Sequence, residues 1–96
     1  MPQYVVLGSW TEEGIKNVKH APQRAEAFRT AVEAAGGKMA LSLHTMGPYD
    51  IVTVLELPSD EVANDLALRF GQQGFVRTVT LKGWTLAEFA KLVEKL

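Results

Sequence analysis

Four side chains in this sequence carry the chemistry of a small-molecule site: Trp10, His44, Tyr49 and Arg77. An imidazole can act as a general base near neutral pH, and a phenol can donate a hydrogen bond. A guanidinium can hold a carboxylate or phosphate through two parallel hydrogen bonds, and an indole can form a pocket wall or anchor an interface. These residues are therefore the predicted ligand-binding candidates.

Each of these side chains also has a simpler structural interpretation. His44 lies in a predicted strand, where a hydrogen-bonded interface histidine is the favoured interpretation. The other histidine, His20, lies in a helix break, and two distant histidines without a supporting carboxylate predict no metal site. The sequence has no phosphate-binding glycine loop and no Gly-x-Ser-x-Gly elbow, and we expect no cofactor.

Asp50 follows Tyr49 directly, at the end of the turn Gly47-Pro48-Tyr49-Asp50. Neighbouring strand residues point to opposite faces, so these two side chains are not expected to act as a catalytic pair. Asp50 is predicted to fix the turn by accepting backbone or Thr45 hydrogen bonds. An ion pair with Arg77 is the alternative.

Length, charge and composition narrow the class of protein. The 96 residues fit a single domain, residues 1–96. The net charge of -1 argues against nucleic acid or an anionic membrane as the main partner. There is no cysteine, no apparent signal peptide and no apolar run of membrane-spanning length, so we expect a cytoplasmic protein.

The hydrophobic periodicity predicts the order β-α-β-β-α-β followed by one more helix. Strand-like runs begin at Tyr4, Met39, Ile51 and Phe75. Helices are predicted between the first two runs, between the last two, and from Thr85 onward, where Thr-x-x-Glu forms a capping box. This is the α+β ferredoxin-like pattern, with a four-stranded antiparallel sheet and a C-terminal helix.

A hairpin loop at Gly47-Pro48 fixes the register of the two central runs. His44 then faces Ile51 and Ser42 faces Thr53, while Leu43 and Leu41 face Val52 and Val54. The purely aliphatic side is predicted to pack on the helices. The mixed side, with His44, Tyr49 and Thr53, is predicted to face a cavity or a second copy.

The sheet needs a cover on the side that the helices leave open. Strands one and three carry apolar residues on both faces, and the last helix can cover only part of the second face. A second subunit packed sheet against sheet is the economical cover, so self-association into a homodimer or a higher oligomer is predicted.

Three stretches together resemble the GYD-domain family: residues 4–16, the turn Gly47-Pro48-Tyr49-Asp50, and residues 74–80. The likeness covers nearly the whole chain. It implies a ferredoxin-like fold of the dimeric α/β-barrel group. That group includes monooxygenases, ligand-sensing regulators and stress proteins, so the fold alone does not imply an activity.

Three functions are compatible with these features. The leading hypothesis is a non-enzymatic oligomeric module with a small-molecule pocket built from Trp10, His44, Tyr49 and Arg77. The alternative is a cofactor-independent enzyme, an isomerase or monooxygenase acting on a small aromatic or carbonyl compound. In that enzyme His44 would move protons, Tyr49 would donate a hydrogen bond and Arg77 would hold an anionic group. The third is an assembly domain without a ligand.

Overall fold

A computed structural model describes residues 1–96. Its four strands form one antiparallel sheet in the order β2-β3-β1-β4. The strands are β1 Gln3–Trp10, β2 Lys38–His44, β3 Ile51–Glu56 and β4 Val76–Gly83. The predicted ferredoxin-like α+β fold is confirmed. Trp10 is the last residue of strand β1.

Local sequence signals set the helix boundaries. The Thr11 side chain caps the first helix by accepting from the Gly14 N–H at 3.0 Å, and Ser59 caps the third by accepting from the Val62 N–H at 3.3 Å. The predicted capping box of Thr85 and Glu88 is present at the last helix. The helices are α1 Glu12–Lys16, a short 3-10 turn Val18–His20, α2 Ala21–Ala34, α3 Asp60–Gly71 and α4 Leu86–Val93.

Helices α2 and α3 pack on one face of the sheet and form a small core with it. Only nine of the 96 residues are buried, so much of the apolar content of the chain lies outside this core. Phe28 of α2 and Phe70 of α3 meet edge to face, with ring centroids 4.8 Å apart. The buried hydrophobic residues are Tyr4, Val32, Met39, Leu55, Leu57 and Leu66.

The hairpin register agrees with the sequence, but the assignment of the two faces was wrong. Leu41, Leu43, Val52 and Val54 pair as predicted, yet Leu41 is 47% and Leu43 49% exposed. Thr53, on the mixed side, is buried beneath the helices. The helices therefore cover the mixed side and leave the aliphatic side open.

Two neighbouring residues, Glu56 and Leu57, could have indicated the correct face. Glu56 shares the strand parity of Val52 and Val54, whereas Leu57 shares that of Thr53 and is fully buried. The charged Glu56 indicates that the side of Val52 and Val54 meets solvent, and the apolar Leu57 indicates that the side of Thr53 faces the core.

None of the helices has the length and apolar character that a membrane-spanning helix requires.

Candidate functional site

The three stretches that carry the sequence resemblance meet at one end of the sheet, around Trp10. The Asp50 carboxylate accepts a hydrogen bond from the Trp10 backbone N–H at 2.8 Å. The backbone of Asp50 is held on both sides, since its N–H donates to the Gly8 carbonyl and its carbonyl accepts from the Thr45 N–H, each at 2.8 Å. Asp50 therefore joins the turn to β1 through both its carboxylate and its backbone. The ion pairs of the structure join other residues, so Asp50 is not paired with Arg77.

The third stretch is joined to the first by backbone contacts at Phe75. The Thr11 N–H donates to the Phe75 carbonyl at 3.2 Å, and the Thr11 hydroxyl donates to the carbonyl of Gly74. Gly14 is buried against the same strand entry, and a Cβ added there would lie 1.9 Å from the Phe75 carbonyl oxygen. Only glycine allows this approach of helix α1 to the chain before β4.

Trp10 and His44 are brought together, as a shared pocket would require. Their rings stack with centroids 5.9 Å apart and planes 27° apart. His44 itself is exposed, and it lies opposite Ile51 in the predicted register.

Tyr49 and Arg77 do not converge on this pair within one protomer. Tyr49 is half-buried in the turn, where its carbonyl accepts from the Thr45 hydroxyl at 2.6 Å. Arg77 pairs with Ser9 across the β1–β4 ladder, so its side chain belongs to the face opposite that of Trp10. A site that uses all four side chains would need residues from both faces of the sheet.

A cavity of about 120 Å³ lies between α2 and the helix-covered side of the sheet. It is smaller than the roughly 300 Å³ at which pockets for drug-sized ligands begin. Of the four predicted residues, only Trp10 lines it. Its other walls are mainly apolar and aromatic, and include Val6, Phe28, Ile51, Phe70 and Phe75.

Sequence reasoning missed Arg24, which also lines this cavity. Its guanidinium carbon lies 4.3 Å from the centre of the Phe75 ring, and its Nη1 donates to the Asn17 carbonyl at 3.2 Å. Its Nη2 is buried and has no hydrogen-bond partner. The available signal was spacing, because Arg24 lies four residues before Phe28 and shares its helix face.

The opposite side of the sheet is a second candidate surface. The strand register aligns eight aliphatic side chains into two complete rows across all four strands. We call this surface the open face. Its rows are Leu43, Val52, Leu7 and Val79, and Leu41, Val54, Val5 and Leu81.

The ends of the open face are polar. Lys38, Glu56 and Gln3 share the next row on one side, and Ser9 pairs with Arg77 on the other. An apolar centre with a polar rim is the usual anatomy of a protein interface.

Helix α4 adds a further uncovered apolar surface. No residue of α4 is buried. The α4 stripe, which we define as Leu86, Phe89 and Val93 of the helix together with Leu96 beyond its end, is exposed along its length. Nothing within the protomer covers either this stripe or the open face.

Three titratable side chains outside these surfaces, Tyr4, Asp60 and Lys82, form one network of polar contacts. The Tyr4 hydroxyl donates to the Asp60 carboxylate, and Lys82 Nζ lies 2.9 Å from the same carboxylate. Burial, reinforced by the bond to Asp60, raises the pKa of Tyr4 to about 12. The Tyr4 hydroxyl and then Lys82 lower the pKa of Asp60. No group of three or more histidine or acidic side chains is arranged to hold a metal ion.

The strand order and the helix packing define a ferredoxin-like α+β protein with one sheet face uncovered. The model of the GYD domain family matches residues 4–93, so the chain belongs to that family.

One curated relative has a name that refers to binding. The chain is 27% identical over 89 residues to the "Glutamine synthetase and cystathionine beta-lyase binding protein" of Thermus thermophilus. The alignment covers 92% of this chain and 94% of the relative.

A solved structure supports the fold. The crystal structure of TTHA0845 from Thermus thermophilus superposes with a TM-score of 0.55, covering 88% of this chain and 95% of that one. The sequence identity is 23%, so this likeness bears on the fold alone.

Proposed function

We propose that this protein is a non-enzymatic assembly module that self-associates through the open face and, as an oligomer, binds an enzyme partner. The observation that carries the proposal is the open face itself, with its two uninterrupted aliphatic rows and polar ends. Monomeric proteins rarely expose a contiguous apolar patch of this kind unless it is an interaction site.

The accessible surface area of the protomer supports a second copy of the chain as the cover of the open face. A monomer of this mass, 10.5 kDa, is expected to expose about 5,400 Å². The chain exposes 6598 Å², an excess of roughly 1,200 Å². A standard interface buries only about 800 Å² on each partner, but obligate homodimers bury about 1,000 Å² or more on each, so a dimer of that class would account for this excess.

The shape of the protomer agrees with this interpretation. Its radius of gyration is 14.4 Å, whereas about 12.5 Å is expected for a folded domain of 96 residues. We infer that the α4 stripe is buried in the same interface as the open face, because two copies packed face to face would then cover both uncovered apolar surfaces together.

The enzyme partner is suggested by the name of the relative. That relative is described as binding glutamine synthetase and cystathionine beta-lyase. The four predicted site residues divide between two faces of the sheet, whereas a catalytic site requires its residues to meet. This division is consistent with a binding role like that of the relative. The cytoplasmic location that the sequence predicts is part of this proposal.

The self-association part is tested by light scattering after size exclusion. The unaltered protein is expected to elute as a dimer or larger species. Leu43→Glu should yield monomer, because it places a charge in one of the two aliphatic rows that the second copy would bury. Ala27→Glu, on the exposed side of α2, should leave the oligomer intact. A monomeric parent protein, or a Leu43→Glu variant that stays dimeric, would contradict the proposal.

The partner part is tested separately with purified enzymes from the same organism. Glutamine synthetase and cystathionine beta-lyase are immobilised in turn, and association is measured by biolayer interferometry. Saturable binding to either enzyme supports the adaptor role. Absence of binding to both at about 100 μM, well above the range of specific complexes, would contradict it while leaving the dimer result standing.

A further inference from the structure

Arg24 is the one charged side chain among the residues that line the cavity. Two contacts hold its guanidinium in place: the face of the Phe75 ring at 4.3 Å and the Asn17 carbonyl at 3.2 Å from Nη1. Its position is therefore set before any ligand arrives.

One nitrogen of the guanidinium has no protein partner. Nη2 is buried and donates to no protein group, and none of the four ion pairs includes Arg24. Buried donors in folded proteins are almost always satisfied, and a guanidinium is satisfied best by an oxyanion that accepts two parallel hydrogen bonds. The geometry of Arg24 therefore favours an anion.

The cavity selects the rest of the ligand by size and polarity. Its volume is about 120 Å³ and it opens to solvent. An enclosed apolar cavity of roughly 150 Å³ accepts benzene, so the apolar body of a ligand here can be no larger than a benzene ring. The aromatic walls favour an apolar body. A single guanidinium balances one negative charge, so a monocarboxylate fits better than a phosphate ester with up to two charges and three acceptor oxygens.

We propose that this cavity binds a small aromatic or branched aliphatic monocarboxylate. The carboxylate pairs with Arg24, and the apolar body lies among Trp10, Phe28, Phe70 and Phe75. The site is distinct from the open face, because it lies on the helix-covered side of the sheet. It does not depend on the assembly role proposed above.

The experiment uses benzoate as the probe, with the full chain in its native oligomeric state. Binding is measured by calorimetry and by amide chemical-shift changes in ¹⁵N-labelled protein. Benzoate should bind saturably, and the shifts should concentrate on α2 and the Trp10 end of the sheet. Benzamide has nearly the same shape without the charge, and it should bind at least about tenfold more weakly.

Two pairs of variants locate the site. Arg24→Gln should weaken benzoate binding at least about tenfold, whereas Arg77→Gln, on the opposite face, should leave the affinity unchanged. Ala25→Leu places a larger side chain in the cavity lining and should abolish binding without removing the charge. Ala27→Leu, at a position outside that lining, should not.

Three results would overturn the proposal: no saturable benzoate binding up to about 10 mM, equal affinity for benzamide, or full affinity in Ala25→Leu. None of these needs a change at Arg24, so they remain decisive if Arg24→Gln fails to fold. If benzoate does not bind, the measurements of self-association remain valid, because they concern the open face.

Discussion

The carboxylate of Asp50 accepts a hydrogen bond from the backbone N–H of Trp10 at 2.8 Å, across 40 positions of the chain. Trp10 is the last residue of β1, so this bond ties the turn between β2 and β3 to the end of the neighbouring strand. The turn residue therefore holds two parts of the sheet together at the end where the cavity lies.

Removing the Asp50 carboxylate should destabilise the protein. In Asp50→Ala the half-buried Trp10 N–H loses its acceptor, and we expect a loss of about 1–3 kcal/mol in the free energy of unfolding. Asp50→Asn should lose less, because an amide oxygen can still accept. Urea denaturation measures both. Asp65→Ala removes an exposed carboxylate that pairs with Arg69 at 2.7 Å and should change stability by less than about 1 kcal/mol. Equal effects of the two alanine variants would refute a special role for Asp50.

Gly14 should tolerate no side chain, although nothing in its backbone dihedral demands glycine. A Cβ would lie 1.9 Å from the Phe75 carbonyl oxygen, so α1 or the entry to β4 must move in Gly14→Ala. The expected loss is at least about 1–3 kcal/mol. Gly71→Ala is the matched control, because a Cβ there has no neighbour within 4 Å. Thermal melts followed by far-UV circular dichroism should show a clear fall for the first variant only; similar melts would contradict the packing argument.

The sequence predicted the order of strands and helices along the chain, the start of the last helix and the hairpin pairing because each depends on local patterns. Alternation between Leu43 and His44 and the glycine-proline turn fix the register without reference to any other part of the chain. The capping box of Thr85 and Glu88 is likewise a signal contained within four residues.

Alternation within the hairpin could not by itself predict the faces of the sheet or the lining of the cavity. Alternation separates Leu43 from His44 but does not say which side the helices cover, and the purely aliphatic side proved to be the one left open. Arg24 was missed because its position over Phe75 joins residues 51 apart in the chain, a contact that no periodicity encodes. Arg77 was grouped with Trp10 by residue type, whereas the β1–β4 register places them on opposite faces.

Alkaline pH should destabilise the protein through Tyr4. Its pKa is raised from 10.0 to about 12 in the folded state, mainly by burial and then by the hydrogen bond to Asp60. The neutral phenol is thus favoured by folding, and its contribution is complete below the unfolded pKa of 10.0 and is lost as the pH rises toward 12.

The Tyr4→Phe variant isolates this effect. It keeps the buried ring but removes the ionising group, so its melting temperature should fall less steeply than that of the parent protein between about pH 10 and pH 12. Tyr49→Phe, at a half-buried turn position, serves as the control. Parallel curves for the parent and Tyr4→Phe would show that Tyr4 does not titrate in this way.

Acid should destabilise the protein through Asp60, which accepts the hydrogen bond of Tyr4. The Tyr4 hydroxyl and Lys82 lower the pKa of Asp60, so the ionised carboxylate is favoured by folding. This stabilisation is present above the unfolded pKa near 3.8 and is lost as the pH falls through the lower folded value. Asp60→Asn should therefore show a shallower loss of stability below about pH 4 than the parent protein. An unchanged acid limb in urea melts would exclude Asp60 as its source.

Phe89 and Lys91 test whether the α4 stripe belongs to the oligomer interface. Phe89 is 52% exposed in the protomer, so Phe89→Gln removes little that stabilises a single copy. If a second copy buries this ring, the same change should weaken dimerisation by at least about fivefold, as truncation of a buried aromatic anchor does. Lys91→Gln introduces the same residue on the other side of α4 and should have little effect. Analytical ultracentrifugation across a dilution series separates the two outcomes. A dimer equally strong in both variants would confine the interface to the open face, because α4 would then make no contribution to holding the two sheets together.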